Sequence, residues 1–327
     1  RGVRQGSIIS PFLFNIYIND MLKVVSTNDN GVTIGDVPYS IFGYADDVTL
    51  FSSTVKGLQS SIDICVNYAK EWRFNFNSKK SKCMTIGPNL FHSTPCWYLG
   101  DTPLEVTDSL DILGFKFTSA NSSNSHIERR INACRQSVYG LSNIGLSYPG
   151  LATDAKTYLW NTVCVPILTY GLDSCNVTAA GLKKLESAQG TLVKQFLGIS
   201  KRSHHSSLLK ALGIPTISDV ISTKTVSTFQ RIFKVNSPVL KLFSYMMAEY
   251  IVTGHVTKGT MLDRIIQLGL SPVRTALSGS STGPAPAADV AAGDGLVDTL
   301  KYLVAHENFI KPWSDEHILT VLLTRCY

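Results

Sequence analysis

The stretch SIFGYADDVTLFS, residues 40–52, restricts the fold more than any other part of the chain. β-Forming residues lie on both sides of Asp46 and Asp47, and no helical period fits them. The pattern predicts a β-hairpin from about Ser40 to Ser52 with the two acids at its tip. Gly43 and Ala45 fall on one face of the incoming strand, where another backbone can approach closely. Adjacent carboxylates repel each other. A fold keeps such a pair where the side chains diverge or where something positive sits between them.

The segments around the hairpin set its context. In SIISPFLFNIYINDMLKVV, Ser10 can cap a helix and Pro11 suits its first position. Phe14, Tyr17, Ile18, Met21, Leu22 and Val25 then recur at helical spacing. After the hairpin, Leu58, Ile62, Cys65, Val66, Ala69 and Trp72 make one apolar helical stripe. FNFNSKKSK reads as a basic turn, CMTIG as a strand and LDILGFKFTS as a further β element. Helix, hairpin, helix, strand and strand in this order predict an α+β layer with helices packed on an antiparallel sheet.

From Ser125 the pattern is helical. Ile127, Ile131, Cys134, Val138 and Leu141 step by four and three, with Arg129, Arg130 and Arg135 on other faces, a solvated side that also suits phosphates. Two more helices are expected near 152–172 and 180–198. LLKALGIPTISDVI then predicts a short helix, a break and another helix. SGSSTGPAPAADVAAGDG, residues 278–295, has the composition of a flexible linker. The tail 296–327 is expected to be helical, with Leu300, Leu303 and Val304 apolar. Trp72, Trp97 and Trp160 read as core aromatics.

Composition narrows the function classes. Hydrophobic residues make up 44% and charged residues 17% of the 327, enough for a substantial core. No apolar run reaches the length of a membrane span. Gln5, Ser7, Ser10 and Pro11 interrupt the apolar stretch at the N-terminus, against a targeting segment. Seven scattered cysteines without a CxxC pair predict reduced thiols and an intracellular, nuclear or cytoplasmic, non-secreted protein. A net charge of +6 leans toward polyanionic partners. His204 and His205 diverge on a regular backbone and have no partner at ligand spacing.

Phosphoryl transfer to a 3′-hydroxyl uses two divalent cations about 4 Å apart. Hard cations such as Mg²⁺ take carboxylate oxygens, and a hairpin tip holds such oxygens at the edge of a sheet. Such cations would offset the repulsion between Asp46 and Asp47. Alone, the Asp-Asp pair is more often a solvated turn. GVRQGSIISPFLFNIYIND, YADD, FNFNSKKSK and LDILGFKF occur in that order, and together they resemble the reverse transcriptases of non-LTR (LINE-type) retrotransposons. Downstream, VPILTYGLDSC, LKKLESAQGTLVKQFLGI and LLKALGIPTISDVI resemble the helical region that follows the polymerase core in these elements. The resemblance covers roughly residues 1–235.

The resemblance implies a partial right-hand palm over 1–119 and an all-helical thumb and post-thumb region over 125–235. It implies RNA-directed DNA polymerisation with an RNA template, a DNA primer, dNTPs and Mg²⁺. Asp46 becomes the metal ligand and Asp47 a second, less direct one. Gln5 and Gly6 sit against the incoming nucleotide and template, and Tyr44 borders the primer end. Lys80 lies near the triphosphate, with Lys79 and Lys82 neutralising backbone charge. Leu113, Gly114 and Phe115, in LGF, form the strand that grips the primer. The family's first catalytic aspartate falls ahead of the glycine-glutamine motif, and nothing precedes Arg1 here. The expectation is therefore a portion of a longer polymerase that is inactive by itself. The alternatives are a non-catalytic nucleic-acid-binding remnant, a group II intron-type maturase, and a structural protein that has lost metal binding.

Overall fold

A computed structural model of the chain describes residues 4, 6–34, 37–86, 95–143, 150–175, 177–200, 202–234, 243–244, 246–248, 250, 253–256, 260–270 and, as backbone, 318–324. The chain divides into two units, one of residues 1–122 with 308–327 and one of residues 123–307.

The first unit mixes helix and strand. Its elements are α1 (Ser10–Ser26), β1 (Val32–Ile34), β2 (Val37–Tyr39), β3 (Ile41–Tyr44), β4 (Asp47–Ser52), α2 (Val55–Glu71), β5 (Lys82–Ile86), β6 (Tyr98–Leu99), β7 (Thr102–Pro103), β8 (Glu105–Val106), β9 (Ser109–Ile112), β10 (Phe115–Thr118) and, from the far end of the chain, β11 (Ile318–Thr324). The main sheet has the order β3-β4-β11-β5-β8, with three two-stranded sheets beside it. β11 runs antiparallel to both β4 and β5, while β8 runs parallel to β5. The expected hairpin is β3–β4, closed by the pair Tyr44 and Asp47.

α1 and α2 pack their apolar stripes on this sheet. Ile18, Met21 and Val25 of α1 meet Leu58, Ile62, Cys65 and Ala69 of α2 in one core, together with Val48 and Leu50 of β4, Cys83 of β5 and Trp97. Alternation along β4 sends Val48 and Leu50 to the same face, which is why a short strand can anchor the core. α2 begins where Thr54 accepts a hydrogen bond from the Gly57 amide at 3.0 Å, a side-chain cap that satisfies one of the helix's free donors. α1 begins differently from the expectation. Ile9 is its N-cap, and Ser10 is the first helical residue, whose hydroxyl donates to the Arg4 carbonyl at 2.6 Å.

Three further expectations are corrected. Trp72 closes the α2 stripe in sequence but stays 43% exposed, because the helix ends at Glu71 and the indole stacks on Tyr68 at its rim. LGF is not a strand. Leu113 and Gly114 form the turn between β9 and β10, and only Phe115 is in a strand. The described part of the tail, Ile318–Thr324, is a strand rather than a helix. A mostly apolar run with β-branched residues suits a central strand with partners on both sides, and periodicity alone cannot separate that from a buried helix. The linker expected at 278–295 lies outside the described residues.

The second unit is helical in its described part: α3 (Asn124–Leu141), α4 (Thr153–Leu159), a π-helical turn (Trp160–Cys164), α5 (Val165–Thr169), α6 (Ala179–Leu197), α7 (His205–Ala211), α8 (Ile217–Lys234) and α9 (Met261–Gln267). Ile127, Ile131, Cys134 and Val138 of α3 pack with Leu185, Val193 and Phe196 of α6 and with Trp160. Gly198 ends α6 at φ 70°, a left-handed position that favours glycine. Arg264 of α9 donates to the Leu172 carbonyl at 2.9 Å, tying that helix to the segment after α5. No described helix is long and apolar enough to cross a membrane.

Candidate active site

The β3–β4 connection is two residues long, Ala45 and Asp46. Ala45 takes φ 51°, and turns with positive φ match the twist of the flanking strands. Asp46 therefore belongs to the turn and Asp47 to the first position of β4. Both are half-exposed, so neither carboxylate is shut inside the protein. Tyr44, the partner of Asp47 across the hairpin, is 67% exposed. Gly43 faces α1: a Cβ at this position would stand 3.1 Å from Cδ2 of Leu22. The close approach expected there is thus made by a leucine side chain rather than by a backbone. On the opposite face Phe42 meets Phe51 edge to face, with centroids 5.3 Å apart.

Lys80 stands in the turn before β5. The Asn77 carboxamide oxygen accepts from the Lys79 amide at 3.1 Å and the Lys80 amide at 3.2 Å, which shapes that turn. Both lysine side chains are exposed. Lys82 and Thr49 are both in register with Leu322, so the start of β5 and the hairpin tip lie at the same end of the sheet. Two strand spacings, about 10 Å, separate β4 from β5. Lys82 itself pairs with Glu105 at 2.9 Å, so its charge is engaged within the protein. That pair follows from the parallel β5–β8 register, which no local sequence signal announces.

Leu113 (φ 51°) and Gly114 (φ 76°) form a second two-residue turn, between β9 and β10. Leu113 is 45% exposed, and Phe115 lies 4.5 Å from Phe117 between ring centroids. This hairpin is a separate sheet from the one that carries Asp46 and Asp47. Gly6 has φ 80° and, among the described residues, nothing within 4 Å of where a Cβ would stand, so its conformation favours glycine. Gln5 lies outside the described residues. Cys65 and Cys83 are buried in the core behind the site, and burial pushes both thiols up to about 12.

The donor chemistry of Asp46 and Asp47 suits a hard divalent cation. Two carboxylates are only part of a ligand set. Among the described residues no group of three or more His, Cys, Asp or Glu side chains is arranged to hold a metal. Sequence reasoning missed the residue on the other side of Asp47. It is Thr324 of β11, its register partner in the sheet. The β-branched run around it was the available signal.

Residues 1–117 match the family described as Reverse transcriptase (RNA-dependent DNA polymerase). Among curated proteins, the chain is 28% identical over 204 residues to the Retrovirus-related Pol polyprotein from type-1 retrotransposable element R2 of Popillia japonica, covering 60% of this chain and 28% of that protein. It is 25% identical over 209 residues to the corresponding polyprotein of type-2 element R2DM of Drosophila melanogaster, covering 61% and 19%. It is 22% identical over 238 residues to the RNA-directed DNA polymerase from mobile element jockey of the same fly, covering 71% and 25%. The aligned stretches thus span about a quarter of the length of these relatives. The ordered motifs, the carboxylate hairpin that carries one of them and these matches agree: residues 1–117 match the reverse transcriptase family, and the chain is similar to the polymerase proteins of non-LTR retrotransposons.

Proposed function

We propose that this chain contributes the carboxylate hairpin, palm and thumb of an RNA-directed DNA polymerase that extends a DNA primer along an RNA template. The reading rests above all on Asp46 and Asp47, accessible at the turn of a hairpin within the segment that matches reverse transcriptases. The unit of residues 1–122 with 308–327 is the palm portion, and α3 to α8 belong to the thumb and post-thumb region.

Asp46 and Asp47 would hold Mg²⁺ through carboxylate oxygens, and the cation would supply electrostatic stabilisation for phosphoryl transfer there. Tyr44 offers an exposed ring beside the carboxylates, against which the primer end is positioned. Lys80, at the same sheet end, meets the triphosphate of the incoming dNTP. Gly6 and Gln5 border the nucleotide and template. The Leu113–Gly114 turn, with Phe115 behind it, holds the primer strand.

Two carboxylates provide fewer anionic ligands than a two-metal site uses. A polypeptide of residues 1–327 given Mg²⁺, a primed RNA template and dNTPs is therefore expected to incorporate no nucleotide. The same polypeptide should still bind Mn²⁺ weakly, read by electron paramagnetic resonance, and Asp46→Asn and Asp47→Asn should each weaken that binding. Robust primer extension by this polypeptide defeats the first expectation. Mn²⁺ binding indifferent to both substitutions defeats the assignment of the hairpin.

A further inference from the structure

α1 and α2 meet at an aromatic cluster that the proposed chemistry does not use. Tyr17 of α1 lies edge to face with Trp72, with centroids 5.3 Å apart, and Tyr68 of α2 stacks on the same indole at 5.5 Å and 19°. Backbone carbonyls hold both phenols. The Tyr17 hydroxyl donates to the Trp72 carbonyl at 2.7 Å, and the Tyr68 hydroxyl donates to the Tyr17 carbonyl. Trp72 sits just past the end of α2, and Arg73 after it takes φ 57°, so the chain turns and the next ring, Phe74, enters the core. The indole nevertheless keeps 43% of its surface exposed. A large exposed ring that two neighbours already order loses little freedom on binding, and such rings anchor interfaces.

Helical spacing adds negative charge beside these rings. Asp20 lies one turn on from Tyr17, and Glu71 one turn on from Tyr68. Burial, then Asp20, Tyr17 and Glu71, hold the Tyr68 hydroxyl above its usual range, so both carboxylates are within electrostatic reach of the cluster. Both are exposed, and neither is in an ion pair among the described residues, although Lys23, Lys70 and Arg73 are close in the sequence. An aromatic face attracts a cation, whereas carboxylates beside it repel the phosphates that accompany a stacked base. Arginine suits both parts, because its planar guanidinium stacks on an indole and forks to a carboxylate. We propose that Tyr17, Tyr68 and Trp72, edged by Asp20 and Glu71, form a docking site for an arginine side chain of a protein partner. The site uses neither Asp46 nor Asp47, so it stands or falls apart from the polymerase reading.

The full 1–327 chain tests this when its four tryptophans carry a fluorine label and are read by fluorine NMR. Trp72→Phe identifies the Trp72 signal, and the signal of Trp97, fully buried in the same unit, reports that each variant keeps its fold. The probe is a capped Gly-Arg-Gly peptide, with the same peptide carrying citrulline in place of arginine as the uncharged match. The chain's net charge of +6 repels a cationic peptide in general, so saturable binding reports a local site. The arginine peptide should shift the Trp72 signal saturably and leave that of Trp97 in place. The citrulline peptide should leave both unmoved at the same concentrations. Asp20→Asn combined with Glu71→Gln should weaken the arginine peptide about fivefold. An unmoved Trp72 signal overturns the proposal, as does a citrulline peptide that binds equally well or a double variant that binds unchanged. A short single-stranded RNA that shifts the Trp72 signal where the arginine peptide does not makes the cluster a base-stacking surface and overturns it too.

Discussion

Trp97 offers a quantitative test of the core that supports the hairpin. It has no exposed surface, packs with the α1, α2 and β4 residues, and its indole N–H donates to the Val55 carbonyl at 3.0 Å. Trp97→Phe removes that hydrogen bond, a loss of about 1 kcal/mol. It also leaves about 40 Å³ unfilled, which at the usual cost per unit volume adds about 1 kcal/mol. The expected total is about 2 kcal/mol. Trp97→Ala should cost about 4 kcal/mol, near the middle of the range for such truncations. Two units in one chain make a single global unfolding curve ambiguous, so the readout should be local. Native-state hydrogen exchange at α2 amides fits, and about 2 kcal/mol corresponds to about 30-fold faster exchange through the same opening. If Trp97→Phe changes exchange less than about twofold, the hydrogen bond and the tight fit are both wrong, and with them the account of how α2 is fixed behind β4.

Other measurements address the rest of the molecule. Burial, then the nearby Lys194 charge, hold His205 below its usual range, with Glu186 opposing, and its Nδ1 is buried without a partner among the described residues. Its folded pKa is depressed, so the unfolded chain binds the proton first. Stability of the helical unit should be full above about pH 6.5 and fall as the pH drops below it, and His205→Gln should flatten that dependence in thermal melts. Iodoacetamide at about pH 8 should label exposed Cys96 well before Cys65 and Cys83, pushed up to about 12, and Cys175, pushed up to about 11, as read by peptide mass spectrometry. Thr54→Ala removes the α2 cap and should lower the stability of that helix by about 1 kcal/mol in the same exchange experiment.

Local patterns make much of this fold legible in the amino-acid order alone. The β-formers around Asp46 and Asp47 place β3 and β4 within a residue of their observed ends, and a 3.6-residue period finds the buried faces of α1, α2 and α3. What escapes is information carried by pairing partners distant in the chain. Lys82 looks like one more surface lysine until the parallel β8 brings Glu105 to it. LGF looks like a continuous strand because Leu113 is a poor turn former, yet both Leu113 and Gly114 take positive φ. The π-helical turn at Trp160–Cys164 has no sequence mark at all. For the site, the sequence locates Tyr44, Asp46 and Asp47 on one hairpin, and pairing through β11 adds that Lys80 lies toward the same sheet end. Leu113 and Gly114 belong to a different sheet, which linear motif order cannot reveal.

Closing the main sheet from the far end of the chain has a price in time. Leu50 and Val321 are partners, so about 270 residues must leave the ribosome between the first and the last strand of that pairing, tens of seconds at ordinary elongation rates. During that interval β4 and β5 would expose unpaired edges to any passing extended segment. The nascent chain should therefore depend on holding chaperones until translation has delivered residue 324.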